Sequence, residues 1–268
     1  MSLEWDIIKR FSQHDAPCFS FDDVKQEFNA TSPSYLAQVL SKLVSKKLLI
    51  KLTKGLYYIV PLEHDGENFI PNWHLVAKYI MKGKNYYIGY YSALQIHQLI
   101  TQPSITEIIV TDRQIKPSKI EIQGVRFQFV FHNQQRFFGA ENSWIDSYNK
   151  VKCSSLEKTL VDSFINPQYS GGIIEISKAV YESNESINRD KLIDYFVRAG
   201  SKVAARRYVF ICDLLEIGDS HHENLLQSNI SESVSLLDPS VPDEGKINSR
   251  YKLKINRDIN TIKQSIFT

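Results

Sequence analysis

The chain has 268 residues, of which 43% are hydrophobic, 23% charged and 12% aromatic, so it can form one large domain or two ordinary ones and is too apolar for extensive disorder. Its formal net charge of +2 excludes a nonspecific polycation, and no apolar run approaches the roughly 18 residues of a membrane span. The three cysteines, Cys18, Cys153 and Cys212, are far apart, and the N-terminus has no signal-peptide pattern, which together predict a folded cytoplasmic protein without a disulfide framework.

Two helices are predicted near the start of the chain. Residues 3–12 carry apolar side chains at the spacing that forms one buried helical stripe. Ser20, with Asp23 three residues later, has the pattern of a capping box, and Phe19 and Val24 are placed to pack together as a hydrophobic staple. These signals predict the start of a short second helix.

A third helix is predicted from Ser32, whose hydroxyl can cap the first turn, followed by Pro33, which suits the first helical position. Its apolar residues share one face and are Leu36, Val39, Leu40, Leu43 and Val44. The opposite face is small, polar and basic, with Ser34, Tyr35, Gln38, Ser41, Lys42 and Ser45. The spacing therefore predicts an amphipathic helix with a polar outer surface.

A β-hairpin is predicted directly after this helix. Residues 49–52 and 56–60 are rich in β-forming side chains, and Gly55 between them allows the positive φ of a tight turn. Pro61 ends the second strand. Three helices followed by a hairpin is the element order of a winged helix-turn-helix, which we predict over residues 1–62.

A larger domain is predicted over residues 70–268, after a polar and turn-rich stretch at 62–71. Predicted helices lie at 73–81, 92–100, 154–164, 173–181, 189–199 and 204–217, and predicted strands lie at 106–111, 125–132 and 251–255. Because helices and strands alternate, this domain is expected to be a mixed α/β body. The whole chain is therefore expected to have an α+β fold.

The outer face of the third helix and the hairpin form a candidate surface for double-stranded DNA. Residues 33–60 contain five lysines and no acidic residue, and a helix with short polar side chains can enter the major groove. Tyr35 and Gln38 are the candidates for contacts to base edges, since glutamine can pair with adenine. The other candidates for DNA contact are Ser34, Ser41, Lys42, Lys46, Lys51 and Lys54. A solvated helix face is the alternative interpretation.

A second basic area occurs at Arg198, Lys202, Arg206 and Arg207, within predicted helices. The first three are spaced by four residues, which places them on one helical face. Such a stripe is either a solvated surface or a contact for an acidic partner or a second DNA segment. All of these interpretations require exposed side chains.

Candidate catalytic and metal-binding residues are few. Glu157 and Lys158 could form half of a metal-dependent nuclease centre, but Glu157 also stands where a capping box places an acid. His221 and His222 lie about 100° apart on a helix, unlike the i, i+4 histidines of a zinc helix. His97 follows an apolar helical pattern typical of a packed histidine. Without a phosphate-binding glycine loop or a nucleophile motif, the sequence predicts no enzyme, metal or cofactor.

Four segments resemble, in the same order, those of AbiEi-family antitoxins of abortive-infection toxin-antitoxin systems. They are KGLYYIVP, YYIGYYSALQIHQL, SLEKTLVD and LLDPSVPDEGKINSRYKLKIN, and the resemblance extends over most of the chain. It implies a bacterial antitoxin whose winged helix represses its own operon by binding inverted repeats in the promoter. It also implies that the C-terminal domain opposes a nucleotidyltransferase-like toxin, with direct contact left open, and that Arg206 and Arg207 take part in DNA contact.

Two other classes of function remain open from the sequence. The larger domain could sense a ligand or engage a protein, with the winged helix as a docking surface and Tyr57 and Tyr58 at an interface instead of in a core. A magnesium-dependent nuclease that uses Glu157 is the other class. An adjacent reading frame for a nucleotidyltransferase-like protein would favour the antitoxin over both.

Overall fold

A computed structural model describes residues 2–13, 17–100, 102 and 104–267, and has a mixed α+β fold. Its helices are α1 (Leu3–Phe11), α2 (Phe21–Glu27), α3 (Pro33–Ser45), α4 (Trp73–Ile80), α5 (Tyr90–Ile96), α6 (Leu156–Ile165), α7 (Gly172–Ser183), α8 (Arg189–Ala199), α9 (Lys202–Leu214), α10 (Ser220–Asn229) and α11 (Ile259–Ser265). Its strands are β1 (Cys18–Ser20), β2 (Leu49–Thr53), β3 (Leu56–Ile59), β4 (Tyr86–Ile88), β5 (Thr106–Thr111), β6 (Lys119–Ile122), β7 (Val125–Phe131), β8 (Ala140–Trp144), β9 (Lys150–Ser154), β10 (Ser235–Leu236), β11 (Lys246–Asn248) and β12 (Leu253–Ile255). Among the described residues, no helix has both the length and the apolar character needed to cross a membrane.

The first elements form an N-terminal unit in the order α1, β1, α2, α3, β2, β3. Its sheet has the order β1-β3-β2, and β3 runs antiparallel to both neighbours. Apolar side chains from the helices and strands share one core, in which Ile7, Phe19, Leu36 and Leu40 are fully buried. The apolar stripe predicted for α3 is therefore its packed face.

The start of α2 is fixed by the predicted capping box. The hydroxyl of Ser20 accepts from the backbone N–H of Asp23 at 3.0 Å, and the carboxylate of Asp23 accepts from the N–H of Ser20 at 2.7 Å. Two amides that lack partners inside the helix are thereby satisfied. The predicted staple residues Phe19 and Val24 are both fully buried in the same core.

The β2–β3 hairpin turns at Lys54 and Gly55, as predicted. Gly55 has a φ of +74°, which glycine adopts without strain, and its carbonyl accepts from the N–H of Phe21 at 2.8 Å. The third strand of this sheet, β1, was not predicted. Three residues are too few to show the period of two that marks a strand, so only the pairing of β1 with β3 reveals it.

A six-stranded mixed sheet, of order β6-β7-β5-β4-β9-β8, forms the centre of the larger unit. β5 runs parallel to β7 and β4 parallel to β9, whereas the other neighbours are antiparallel. Successive residues of β5 face opposite sides: Ile109 packs in the core that contains α4, and Ile108 packs with Tyr90 of α5. Helices therefore cover both faces of the sheet.

A helical layer built around α6 adjoins this sheet. Every residue of α6 from Glu157 to Phe164 is buried, and α7, α8 and α9 pack against it. The C-terminal segment adds a small sheet of order β10-β12-β11 and α11, which packs on α7. The predicted helices at 154–164, 173–181, 189–199 and 204–217 match α6 to α9 to within three residues.

The N-terminal and larger units pack directly against each other. Leu52, Leu56 and Tyr58 of the N-terminal sheet belong to the same apolar core as α4 and the six-stranded sheet. The hydroxyl of Tyr79 donates to the carboxylate of Asp23 at 2.6 Å across the junction. The stretch 62–71 contains neither helix nor strand, and the division into domains at 1–62 and 70–268 stays a prediction.

Candidate nucleic-acid interface

The residues predicted to contact DNA lie on α3, at its end and on the β2–β3 hairpin, and all of them are exposed. They are Ser34, Tyr35, Gln38, Ser41, Lys42, Lys46, Lys51 and Lys54. α3 presents this face outward because Leu36, Leu40 and Leu43 on its opposite side are fully buried. Tyr35 is the largest of the outward side chains on α3 and is 52% exposed.

The start of α3 places Ser34 and Tyr35 in its first turn. Ser32 has an extended backbone, and its hydroxyl accepts from the N–H of Tyr35 at 3.4 Å. Pro33 occupies the first helical position, where its missing N–H removes no hydrogen bond. The predicted start of this helix is therefore confirmed, and no acidic side chain lies in its first turn.

The hairpin adds two lysines beside α3. Lys51 lies on β2 and Lys54 in the turn, and neither forms an ion pair with any residue that the structure describes. Leu52 between them points inward and is 3% exposed. The carbonyl of Lys51 accepts from the side-chain amide of Gln123 at 2.9 Å. Since Gln123 belongs to the larger unit, this hydrogen bond attaches the hairpin to that unit.

An acidic residue from α1 reaches this basic face, which sequence reasoning missed. The two carboxylate oxygens of Glu4 lie 2.7 Å from the ammonium of Lys42 and 2.6 Å from that of Lys46. Hydrogen bonds from Lys42 and Lys46 lower the pKa of Glu4, and the same contact raises the pKa of Lys42. Two of the predicted phosphate contacts are therefore already paired with a carboxylate.

The second basic area is not the exposed stripe that the sequence predicted. Arg198 lies in the last turn of α8, Lys202 begins α9, and Gly200 between them has a φ of +66° that interrupts the helix. Arg206 and Arg207 are 0% and 6% exposed. The prediction that both contact DNA or a partner is therefore wrong, while Arg198 and Lys202 are exposed.

The two buried arginines hold the C-terminal segment onto α9. Arg206 Nη1 donates to the carbonyls of Ser233 at 3.1 Å and Lys252 at 3.0 Å. Arg207 donates to the carbonyl of Leu236 through Nε and Nη2, at 3.0 and 2.9 Å, and through Nη1 to the carbonyl of Phe164. Buried guanidinium groups need such acceptors. Backbone carbonyls of the β10 and β12 region and of Phe164 supply them, except at Arg206 Nε, which is buried without a hydrogen-bond partner in the described structure.

The helix cap predicted ahead of Glu157 lies one residue later in the chain, and Glu157 takes no part in it. Ser155 is the cap of α6, and it accepts from the N–H of Lys158 at 3.3 Å. Glu157 instead forms an ion pair with Lys191 at 2.7 Å and accepts from the N–H of Asn188 at 3.2 Å. Burial opposes the ionisation of Glu157, but the hydrogen bonds from Lys191 and from backbone amides, together with the charge of Lys191, outweigh it and lower the pKa of Glu157. Glu157 therefore joins α6 to α8.

Lys158 belongs to a buried polar cluster, hereafter the Lys158 cluster. Its members are Tyr87, Tyr90, His132, Lys158, Asp162 and Asn166. Lys158 pairs with Asp162, and the hydroxyl of Tyr87 donates to Asp162 at 3.0 Å. His132 contacts the hydroxyls of Tyr87 at 3.0 Å and Tyr90 at 2.7 Å. Burial lowers the pKa of both Lys158 and His132.

The Lys158 cluster is enclosed in the protein interior. His132 is 3% exposed, and Tyr87, Tyr90, Lys158 and Asp162 are fully buried. Polar groups removed from water in this way need partners, and the cluster provides them for each of these side chains. We interpret it as a structural network between the sheet and α6.

The histidines have local structural partners. His97 Nε2 lies 2.8 Å from the carbonyl oxygen of Ser154, as expected for a packed histidine. His222 is buried against Tyr208 at 2.9 Å, whereas His221 is exposed. Over the part of the chain that the structure describes, no group of three or more histidine, cysteine or acidic side chains is arranged to hold a metal ion.

Comparisons with known proteins give a fold relationship. No protein-family model matches the chain, and no curated protein matches it. The crystal structure of the RV2827C protein from Mycobacterium tuberculosis is similar, with a TM-score of 0.68 and 14% sequence identity over 98% of this chain and 94% of that one. The two proteins therefore share a fold over nearly their whole lengths, and at this identity the similarity concerns the fold alone.

Proposed function

We propose that residues 1–62 form a winged helix-turn-helix that binds double-stranded DNA, with α3 as the recognition helix and the β2–β3 hairpin as the wing. The observation that carries this proposal is that every predicted contact residue on α3 and on the hairpin is open to solvent, while α3 packs against β2 of that hairpin. The order α1, β1, α2, α3, β2, β3 also supports it. A helix of this kind fits the major groove, and a hairpin beside it lies against the phosphate backbone.

The proposed contacts divide into two chemical classes. Gln38 and Tyr35 face outward on α3 and read base edges, with the amide of Gln38 suited to adenine. Ser34, Ser41 and the lysines contact phosphates or bases. Lys51 and Lys54 supply positive charge that no carboxylate in the described structure neutralises, so they are the strongest phosphate contacts.

The salt dependence of binding tests this proposal. Each phosphate contact by a lysine contributes about −0.9 to the slope of log affinity against log salt concentration. The two contact lysines without ion pairs, Lys51 and Lys54, give a slope of about −1.8, and the four contact lysines together give about −3.6. Affinity should therefore fall roughly 12- to 150-fold between 50 and 200 mM salt. Binding to duplex DNA without salt dependence would contradict the proposal.

We further propose that the chain is an antitoxin that represses its own operon. The support is the resemblance of four ordered segments to AbiEi-family antitoxins, joined to a DNA-binding unit at the N-terminus. In this proposal the N-terminal unit occupies inverted repeats in the promoter, and residues from about 70 onward oppose a nucleotidyltransferase-like toxin.

Co-expression with the product of an adjacent nucleotidyltransferase-like reading frame tests the antitoxin role. The full chain should restore the growth of cells that express the toxin. The double variant Lys51→Ala/Lys54→Ala should lose repression of a promoter reporter and still restore growth, because the two activities are assigned to different units. Continued toxicity in the presence of the folded full chain would contradict the antitoxin role and leave DNA binding untouched.

A further inference from the structure

Glu4 is an acidic group set into the basic face of the N-terminal unit. Its side chain is 20% exposed, whereas those of its partners Lys42 and Lys46 are 61% and 47% exposed. The carboxylate is therefore the sheltered member of this ion-pair group, and the two ammonium groups remain open to solvent. A phosphate approaching α3 meets the lysines first.

The negative charge of Glu4 comes from outside the segment that forms the face. Residues 33–60 contain no acid, and Glu4 reaches them from the first turn of α1. In the described structure, Lys47, Lys51 and Lys54 have no such partner. Glu4 thus offsets positive charge on α3, whereas the hairpin lysines have no ion-pair partner among the described residues.

We propose that Glu4 restrains DNA binding by competing with phosphates for Lys42 and Lys46. The proposal rests on the DNA-binding function given above. An exposed ion pair is weak and exchanges partners readily, so phosphates can displace Glu4. The freed carboxylate then lies close to the DNA backbone, repels it, and takes up a cation from solution. Both effects make the complex weaker than the lysines alone would allow.

Removing the charge of Glu4 has two measurable consequences. The substitution Glu4→Gln keeps the size of the side chain and should tighten binding to duplex DNA by roughly three- to tenfold, the effect expected from two weak competing ion pairs. It should also make the log-log salt slope more negative by about 1, since no cation is then taken up at position 4. This change in slope reports a change in the number of ions exchanged where the protein meets the DNA, so it is specific to charge at the interface.

A matched control separates this restraint from an effect of net charge. Glu223 is a surface carboxylate of the larger unit that pairs with Arg250 at 2.6 Å, so Glu223→Gln removes the same charge from a similar ion pair far along the chain. The dissociation constant for one duplex is measured between 50 and 200 mM salt for the parent and both variants. Glu4→Gln is also combined with Lys42→Ala and Lys46→Ala, where its gain should shrink to the part that comes from repulsion by the free carboxylate.

Each outcome decides the proposal. Tighter binding and a steeper slope for Glu4→Gln alone would support the restraint. If Glu4→Gln binds no more tightly than Glu223→Gln, or if its gain is undiminished without Lys42 and Lys46, the restraint is wrong while DNA binding stands. Weaker binding by Glu4→Gln would overturn the restraint by showing that Glu4 positions the lysines. Absence of duplex binding in the parent and all variants would overturn both proposals.

Discussion

The ion pair between Lys158 and Asp162 allows the interior of the larger unit to be tested by a single substitution. Both side chains are fully buried, and the Asp162 carboxylate also accepts from the hydroxyl of Tyr87 at 3.0 Å. Lys158→Met preserves most of the volume of the side chain and removes its charge. Asp162 would then be a buried carboxylate without a cationic partner.

We expect Lys158→Met to lower the free energy of unfolding by about 3–5 kcal/mol, the magnitude found when one partner of a buried ion pair is removed. The double variant Lys158→Met/Asp162→Leu removes both charges, and apolar replacement of a whole buried pair is often neutral or stabilising. It should therefore recover most of the loss. The hydroxyl of Tyr87 retains His132 at 3.0 Å as a partner.

Urea-induced unfolding at neutral pH measures the parent and both variants. The placement of Lys158 in the core would be refuted by a loss below about 1 kcal/mol in the single variant, which is typical of a surface substitution. A double variant no more stable than Lys158→Met would contradict the assignment of the loss to the unpaired charge of Asp162, because the loss would then arise from packing.

Three further predictions concern the site and the fold. Gln38→Ala should cost about 1–3 kcal/mol at the operator and leave binding to unrelated duplexes unchanged, as competition titrations can measure. Ser32→Ala should destabilise the N-terminal unit by about 1 kcal/mol, seen as a lower urea midpoint, because α3 loses its cap. The pKa of His132 is lowered by burial, so its contribution to stability is complete above about pH 6.5 and is lost as the pH falls through the folded-state pKa. His132→Gln should therefore lose less stability than the parent between pH 7.5 and 5.5, and equal losses in the two proteins would contradict this.

Local signals in the sequence were sufficient to predict most of the N-terminal unit. The hydroxyls of Ser20 and Ser32 accept hydrogen bonds from backbone amides three residues later, and Gly55 allows a positive φ at its own position. Each of these residues therefore determines the structure within one turn of itself. The exposed face of α3 follows from the burial of its apolar stripe. These features therefore needed no knowledge of the tertiary fold.

Contacts between distant segments could not be predicted in the same way. Arg206 has the spacing of a surface stripe with Arg198 and Lys202, and only the docking of the C-terminal segment supplies the carbonyls against which Arg206 and Arg207 are buried. Glu157 follows the capping pattern, but its partner Lys191 lies on another helix. The pairing of Glu4 with α3 also depends on how α1 packs. In each case the partner of the residue lies on a segment that is distant in sequence, and only the tertiary fold brings the two into contact.

The central claim, that α3 and the hairpin bind duplex DNA, is tested most directly by the salt dependence of a charge-removal variant. The measurement compares the parent, Lys51→Ala/Lys54→Ala and the control Lys246→Ala/Lys263→Ala, whose exposed lysines lie in the C-terminal segment. We predict that the hairpin variant binds more weakly and has a log-log slope less negative by about 1.8, while the control matches the parent. Equal slopes for the parent and the hairpin variant would contradict the account.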